Sequence, residues 1–112
     1  MKIAVATDNG MVSPHFGHCE AFVVFTVSPG SRTVVSRERL VSPPHAPGLI
    51  PQWLRSLGIA TVLTGGMGPR AQALFAEAGI DVICGVPPLP PEEAAERYLN
   101  GTLVVGRNAC DH

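Results

Sequence analysis

Apolar residues fall along this chain in short runs divided by glycine and proline, and the spacing within each run predicts the element it makes. KIAVAT, residues 2–7, is continuously apolar and partly β-branched, and it stops at Asp8-Asn9-Gly10. It predicts a strand buried on both faces, followed by a loop. AFVVFTV, 21–27, predicts a second strand, and RTVVSRERLV, 32–41, a third with a more polar, edge-like pattern. The short turn SPGS, 28–31, joins these two in an antiparallel hairpin. SPPHAPG, 42–48, is too rich in proline for anything but a loop.

Beyond residue 48 the period lengthens. Ile50, Trp53, Leu54 and Leu57 stand at i, i+3, i+4 and i+7, one apolar helix face, with Gly58 placed to end the helix. IATVLT, 59–64, is a buried strand. After GGMG, Pro69 opens a helix that Gly79 closes. IDVICGV, 80–86, predicts a further strand. PPLPP leads into a last helix, with Glu92 and Glu93 favourable at its start and Gly101 past its end. TLVVGRNACDH, 102–112, reads as a final strand or a mobile tail. Strand–helix–strand units require parallel neighbours, and the hairpin adds antiparallel ones. The expectation is an α/β fold in a single domain spanning 1–112, with a mixed sheet of about five strands flanked by helices.

Composition narrows the function. The 112 residues carry a formal net charge of −1, so the basic excess of a phosphate-neutralising nucleic-acid binder is missing. MKIAVATDNG does not read as a signal peptide, and no run approaches the length of a membrane span. A cytoplasmic protein with neither nucleic acid nor membrane as partner is expected. The three cysteines, Cys19, Cys84 and Cys110, are odd in number and far apart, which fits reduced thiols better than a disulfide framework.

In an open α/β sheet, ligands gather outside the carboxyl ends of the parallel strands. DNGMVSPHFGHCE (8–20), GGMGPR (65–70) and CGVPPLPP (84–91) should meet there. Glycines free to aim several N–H groups at one point, the start of the following helix and Arg70 in its first turn together favour an anion. Phe16 and Met67 offer an apolar wall to it. His15, His18 and Cys19 are donors for soft or borderline metals, and His45, Cys110 and His112 are further candidates. Cys84 ends a buried strand and fits core packing. Residues 66–71 also match GxGxxA, but no acidic residue ends the next strand, so a dinucleotide site is set aside. Two-metal hydrolysis needs converging carboxylates, and the strand-end loops offer only Asp8 and Glu20. Two alternatives stay open: a metal-free sensor of small anions or nucleotides built on GGMG, and a redox module built on Cys19 beside His18.

MKIAVATDNGMVSPHFGHCEAFVVFTV, the GGMGPRA turn and the CDH ending together resemble the dinitrogenase iron–molybdenum cofactor biosynthesis family, over nearly the whole chain. Ser13, His15, Phe16 and Gly17 match the family's "S.HFG" loop. Gly65, Gly66, Gly68, Pro69 and Arg70 match its "GG.GPR" turn. His18 replaces the usual arginine, and Cys19 a residue that is commonly small. The resemblance implies a ribonuclease H-like fold and noncatalytic binding or carriage of preformed metal–sulfur clusters, with cluster-assembly or cluster-accepting proteins as partners. A small member of the family similar in size and composition holds molybdenum–copper sulfide, which makes that cluster the favoured cargo; iron–molybdenum or iron–sulfur types are the alternatives. The cluster-binding residues it implies are Ser13, His15, Phe16, Gly17, His18, Gly65, Gly66, Met67, Gly68 and Arg70, with His15, His18, Cys19 and His45 as candidate metal ligands.

Overall fold

β1 (Lys2–Asp8) runs through the middle of the molecule, and both its faces are buried, as its unbroken apolar run predicts. The computed structural model describes residues 1–44 and 48–107. Side chains alternate across a strand, so Ala4 and Ala6 pack with one core cluster while Ile3 and Val5 pack with the other.

β1 turns at once into β2 (Met11–Val12), a two-residue strand paired antiparallel through Thr7–Val12 and Asp8–Met11. The apolar pattern places these residues in a loop, since two positions are too few to show strand alternation. The turn residues Asn9 and Gly10 both have positive φ, 54° and 78°, as a two-residue type I′ hairpin requires, and Asn-Gly is its commonest signal. β3 (Ala21–Val27) pairs antiparallel with β1, and β4 (Val34–Val41) with β3. β5 (Ile59–Leu63) and β6 (Asp81–Ile83) add parallel neighbours. The order is β4-β3-β1-β5-β6, the expected mixed sheet, and the short β2 beside β1 brings it to six strands. β6 is shorter than its 80–86 apolar run because Gly85, at φ 76°, turns the chain out of extended conformation.

α1 (Leu49–Ser56) and α2 (Pro69–Glu77) cover one face of the sheet. Ile50 and Leu54 are buried there with Phe75, while Trp53 and Leu57 pack at the margin. α3 (Pro91–Asn100) covers the other face, laying Ala94, Ala95 and Leu99 on Ile3, Val5 and Phe25. Among the described residues, no helix is long and apolar enough to cross a membrane.

Candidate functional site

The carboxyl ends of β1, β5 and β6 open onto one edge, where three loops are sewn together by backbone hydrogen bonds. Gly65 N–H donates to Ser13 O at 2.8 Å, Gly85 N–H to Gly65 O at 3.0 Å, and Phe16 N–H to Gly66 O at 2.8 Å. Gly65 has no room for a side chain: a Cβ there would sit 2.8 Å from Pro14 Cα and 2.9 Å from Ser13 O. This glycine is required by close approach of backbone. None of Gly65, Gly66 and Gly68 occupies the left-handed region, so GGMG is not the left-handed anion nest that its composition suggests. Gly68, at φ −67° and ψ 157°, leads in extended form into Pro69, the first residue of α2.

Ser13, expected among the cluster contacts, is fully buried. Its hydroxyl donates to His15 O at 2.9 Å and accepts from His15 N–H at 3.3 Å. It therefore shapes the loop that carries the histidine. Phe16–His18 then forms one turn of 3₁₀ helix. Residues three apart eclipse in such a turn, so His15 and His18 share its outer side and Phe16 and Cys19 its inner side. Both histidines are exposed, with ring centroids 6.2 Å apart and ring planes at 87°. Phe16 packs edge-on against Phe75 at 5.3 Å and tilted against Phe22 at 5.7 Å. The period-three pattern polar-apolar-Gly-polar-apolar in HFGHC was the available signal for this division.

Cys19, a candidate ligand from sequence, is 4% exposed and packs in the core with Phe16 and Phe22. Burial pushes its thiol up to about 12, against a smaller opposing effect of the hydrogen bond with the Ser42 side chain. A thiol so buried is inaccessible from the surface and protonated near neutral pH, which argues against a Cys19 redox module and a surface thiolate ligand. Cys84 is half-buried and packs against the same cluster. His45, Cys110 and His112 lie outside the described residues. Among the described residues, no three or more His, Cys, Asp or Glu side chains converge as a metal site.

The 3₁₀ turn and the GGMG segment instead wall a groove of about 360 Å³ between α1 and α2. Phe16, Ile50, Met67, Leu74 and Phe75 give it an apolar surface, Gly17 and Gly68 lie on it, and Arg70 is the one charged residue among its described lining. Met67 is almost fully buried, so it forms floor rather than a projecting wall. Gln72 Nε2 donates to Met67 O at 2.8 Å, tying the floor to α2. Gly66 and Gly68 find no acceptor for their N–H groups among the described residues. An apolar hollow with one guanidinium on its lining suits a large, polarisable anion of low charge density better than a hard, strongly hydrated one.

Fold, edge and groove define a small α/β protein with an apolar hollow at its strand ends. The sequence model of the dinitrogenase iron–molybdenum cofactor family matches residues 1–101, and the chain belongs to that family. An uncharacterized protein of Methanocaldococcus jannaschii, MJ0580, is 28% identical over an alignment of 88 residues that covers 73% of this chain and 72% of that one. The crystal structure of PH0822 superposes over 100% of both chains with a TM-score of 0.88 at 26% identity. The apo form of the orange protein from Desulfovibrio gigas superposes over 96% of this chain and 93% of its own, with a TM-score of 0.72 at 28% identity.

Proposed function

We propose that this protein binds and carries a preformed metal–sulfur cluster in the groove between α1 and α2, and performs no reaction on it. The observation that carries the reading is the pairing of an apolar hollow of about 360 Å³ with Arg70 on its lining and with His15 and His18 exposed on the adjoining turn. A thiometallate presents sulfide to its surroundings. Phe16, Met67 and Phe75 would contact that soft surface, Arg70 would offset its charge, and the imidazoles would donate hydrogen bonds or fill an open metal position. Gly17, Gly66 and Gly68 would allow backbone to approach it closely. Ser13 and Gly65 act through the shape of the loops. Family membership and the likeness to the orange protein support a cluster as the cargo. Molybdenum–copper sulfide is the favoured cluster on the family resemblance, ahead of iron–molybdenum or iron–sulfur types. Partners would be the proteins that assemble or accept such clusters in the cytoplasm.

The test is anaerobic reconstitution of metal-free protein with tetrathiomolybdate, with and without copper, followed by removal of unbound material. Stoichiometric coloured retention that is lost in His15→Ala/His18→Ala and kept in Cys19→Ala is the expected result. Failure to retain either thiometallate or an iron–sulfur cluster, with saturable nucleotide binding in their place, would replace this reading by the metal-free sensor.

A further inference from the structure

Two residues on the groove carry no side chain where the fold would accept one. Gly65 is enclosed by backbone, and Gly85 stands at positive φ, so each has a structural reason to be glycine. Gly17 and Gly68 share neither reason. Neither takes positive φ. Nothing lies within 4 Å of a Cβ built on either, and both line the groove between α1 and α2.

Glycine is unfavourable at both places. Gly17 is the middle residue of the 3₁₀ turn Phe16–His18, and glycine weakens a helical turn because it has the most backbone freedom to lose. Alanine in its place stabilises a chain wherever the native backbone suits it. Gly68 is the N-cap of α2, at β-region angles, and makes no side-chain capping bond. Serine, threonine, asparagine or aspartate commonly fill that position, because their side-chain oxygen accepts a free N–H of the first turn. What the two positions have in common is the groove.

Backbone bonds hold the two walls at a fixed separation. Phe16 N–H donates to Gly66 O at 2.8 Å, one residue before Gly17 and two before Gly68. Gly65 N–H is bonded to Ser13 O, and Gln72 to Met67 O. A methyl group added at Gly17 or Gly68 therefore takes its space from the groove. At about 360 Å³ the groove lies near the lower end of ordinary ligand sites, about 300–1,000 Å³, so it has little volume to spare.

We propose that the bare backbone at Gly17 and Gly68 is a size filter: it sets the largest cargo the groove admits. A side chain at either position excludes a copper-bridged thiomolybdate sooner than a single tetrathiomolybdate. The inference rests on the cluster-binding reading and deepens it.

The test compares wild type, Gly17→Ala and Gly68→Ser, each loaded anaerobically with tetrathiomolybdate, alone or with cuprous ion. Without metal, both variants should unfold at a urea midpoint no lower than that of wild type. One methyl group in an apolar pocket commonly changes discrimination by about 10–200-fold. Each variant should therefore weaken retention of the copper-bridged cargo at least about tenfold more than that of tetrathiomolybdate. Leu74→Ala, which returns volume to the same lining, should recover part of the loss when added to Gly17→Ala. Lower midpoints in both variants would show that the fold itself needs these glycines, and would overturn the inference; where one variant alone is destabilised, the other decides. Equal weakening of the two cargoes, or none, with no recovery by Leu74→Ala, overturns it as well and leaves the cluster reading intact. Retention of neither cargo by wild type overturns both.

Discussion

Replacing Gly65 with alanine adds one methyl group at the point where two loops touch. Its Cβ would lie 2.8 Å from Pro14 Cα, 2.9 Å from Ser13 O and 3.3 Å from Val86 O. All three are backbone atoms, so no side chain can swing aside. Overpacking of this kind costs about 1–3 kcal/mol. Parting the loops also stretches Gly65 N–H to Ser13 O and Gly85 N–H to Gly65 O, each worth about 0.5–1.5 kcal/mol. The lower chain entropy of an unfolded alanine offsets about 0.4–1 kcal/mol where the native backbone suits it. The expected net loss is about 2–3 kcal/mol, a large part of the stability of about 5–15 kcal/mol usual for a domain. Urea unfolding should show it as a lower midpoint at unchanged slope. Gly68→Ala is the control. Gly68 has extended backbone angles and nothing within 4 Å of a new Cβ, so the midpoint should move by no more than about 0.5 kcal/mol equivalent. Equal midpoints for the two variants would refute the claim that Gly65 is fixed by loop contact.

Two further predictions concern single groups. Cys19 titrates near 12 when folded, against 9.0 as the ordinary value. The folded state therefore holds this proton more tightly, and stability is full below about pH 9 and falls between about 9 and 12, by up to about 1.4 kcal/mol per pH unit. Unfolding followed from pH 8 to 10.5 should show that slope reduced in Cys19→Ala; identical slopes would exclude Cys19 as its source. Arg70 supplies the charge on the groove lining, so Arg70→Gln should weaken tetrathiomolybdate binding about 5–10-fold, near the worth of one charge-assisted contact. The loss should shrink as salt rises, which titrations at two ionic strengths would measure, and an unaltered affinity would remove Arg70 from the site.

Elements whose signals are local were legible in the sequence. The i, i+3, i+4, i+7 face of α1 lies on the core. Gly58 and Gly79 take the positive φ that ends α1 and α2, and the apolar run of β1 is buried on both faces. β2 was missed although Asn9-Gly10 carries its turn signal, because two residues are too few to show alternation. The extent of β6 depended on contacts of Gly85 with Gly65 and Gly106, far apart in sequence. The candidate site divides in the same way. The loops that meet at the strand ends followed from topology. The inward turn of Cys19 and the structural duty of Ser13 depend on a 3₁₀ period only one turn long, and Gly65's role depends on its distance from Pro14. The groove of α1 and α2 is a product of tertiary packing, and no single segment announces it.

The 3₁₀ turn at Phe16–His18 also separates two kinds of freedom. Phe16 and Cys19 are tied to the shape of the interior, while His15 and His18 face outward and pack into neither core cluster. Their replacement leaves the interior's volume and shape unaltered. A change of cargo could thus begin at two surface letters, with the loop path still set by Ser13 and Gly65. On the cluster-carrier proposal, the same scaffold would be retuned for a different metal by substitution alone, without insertion, deletion or compensating change beneath it.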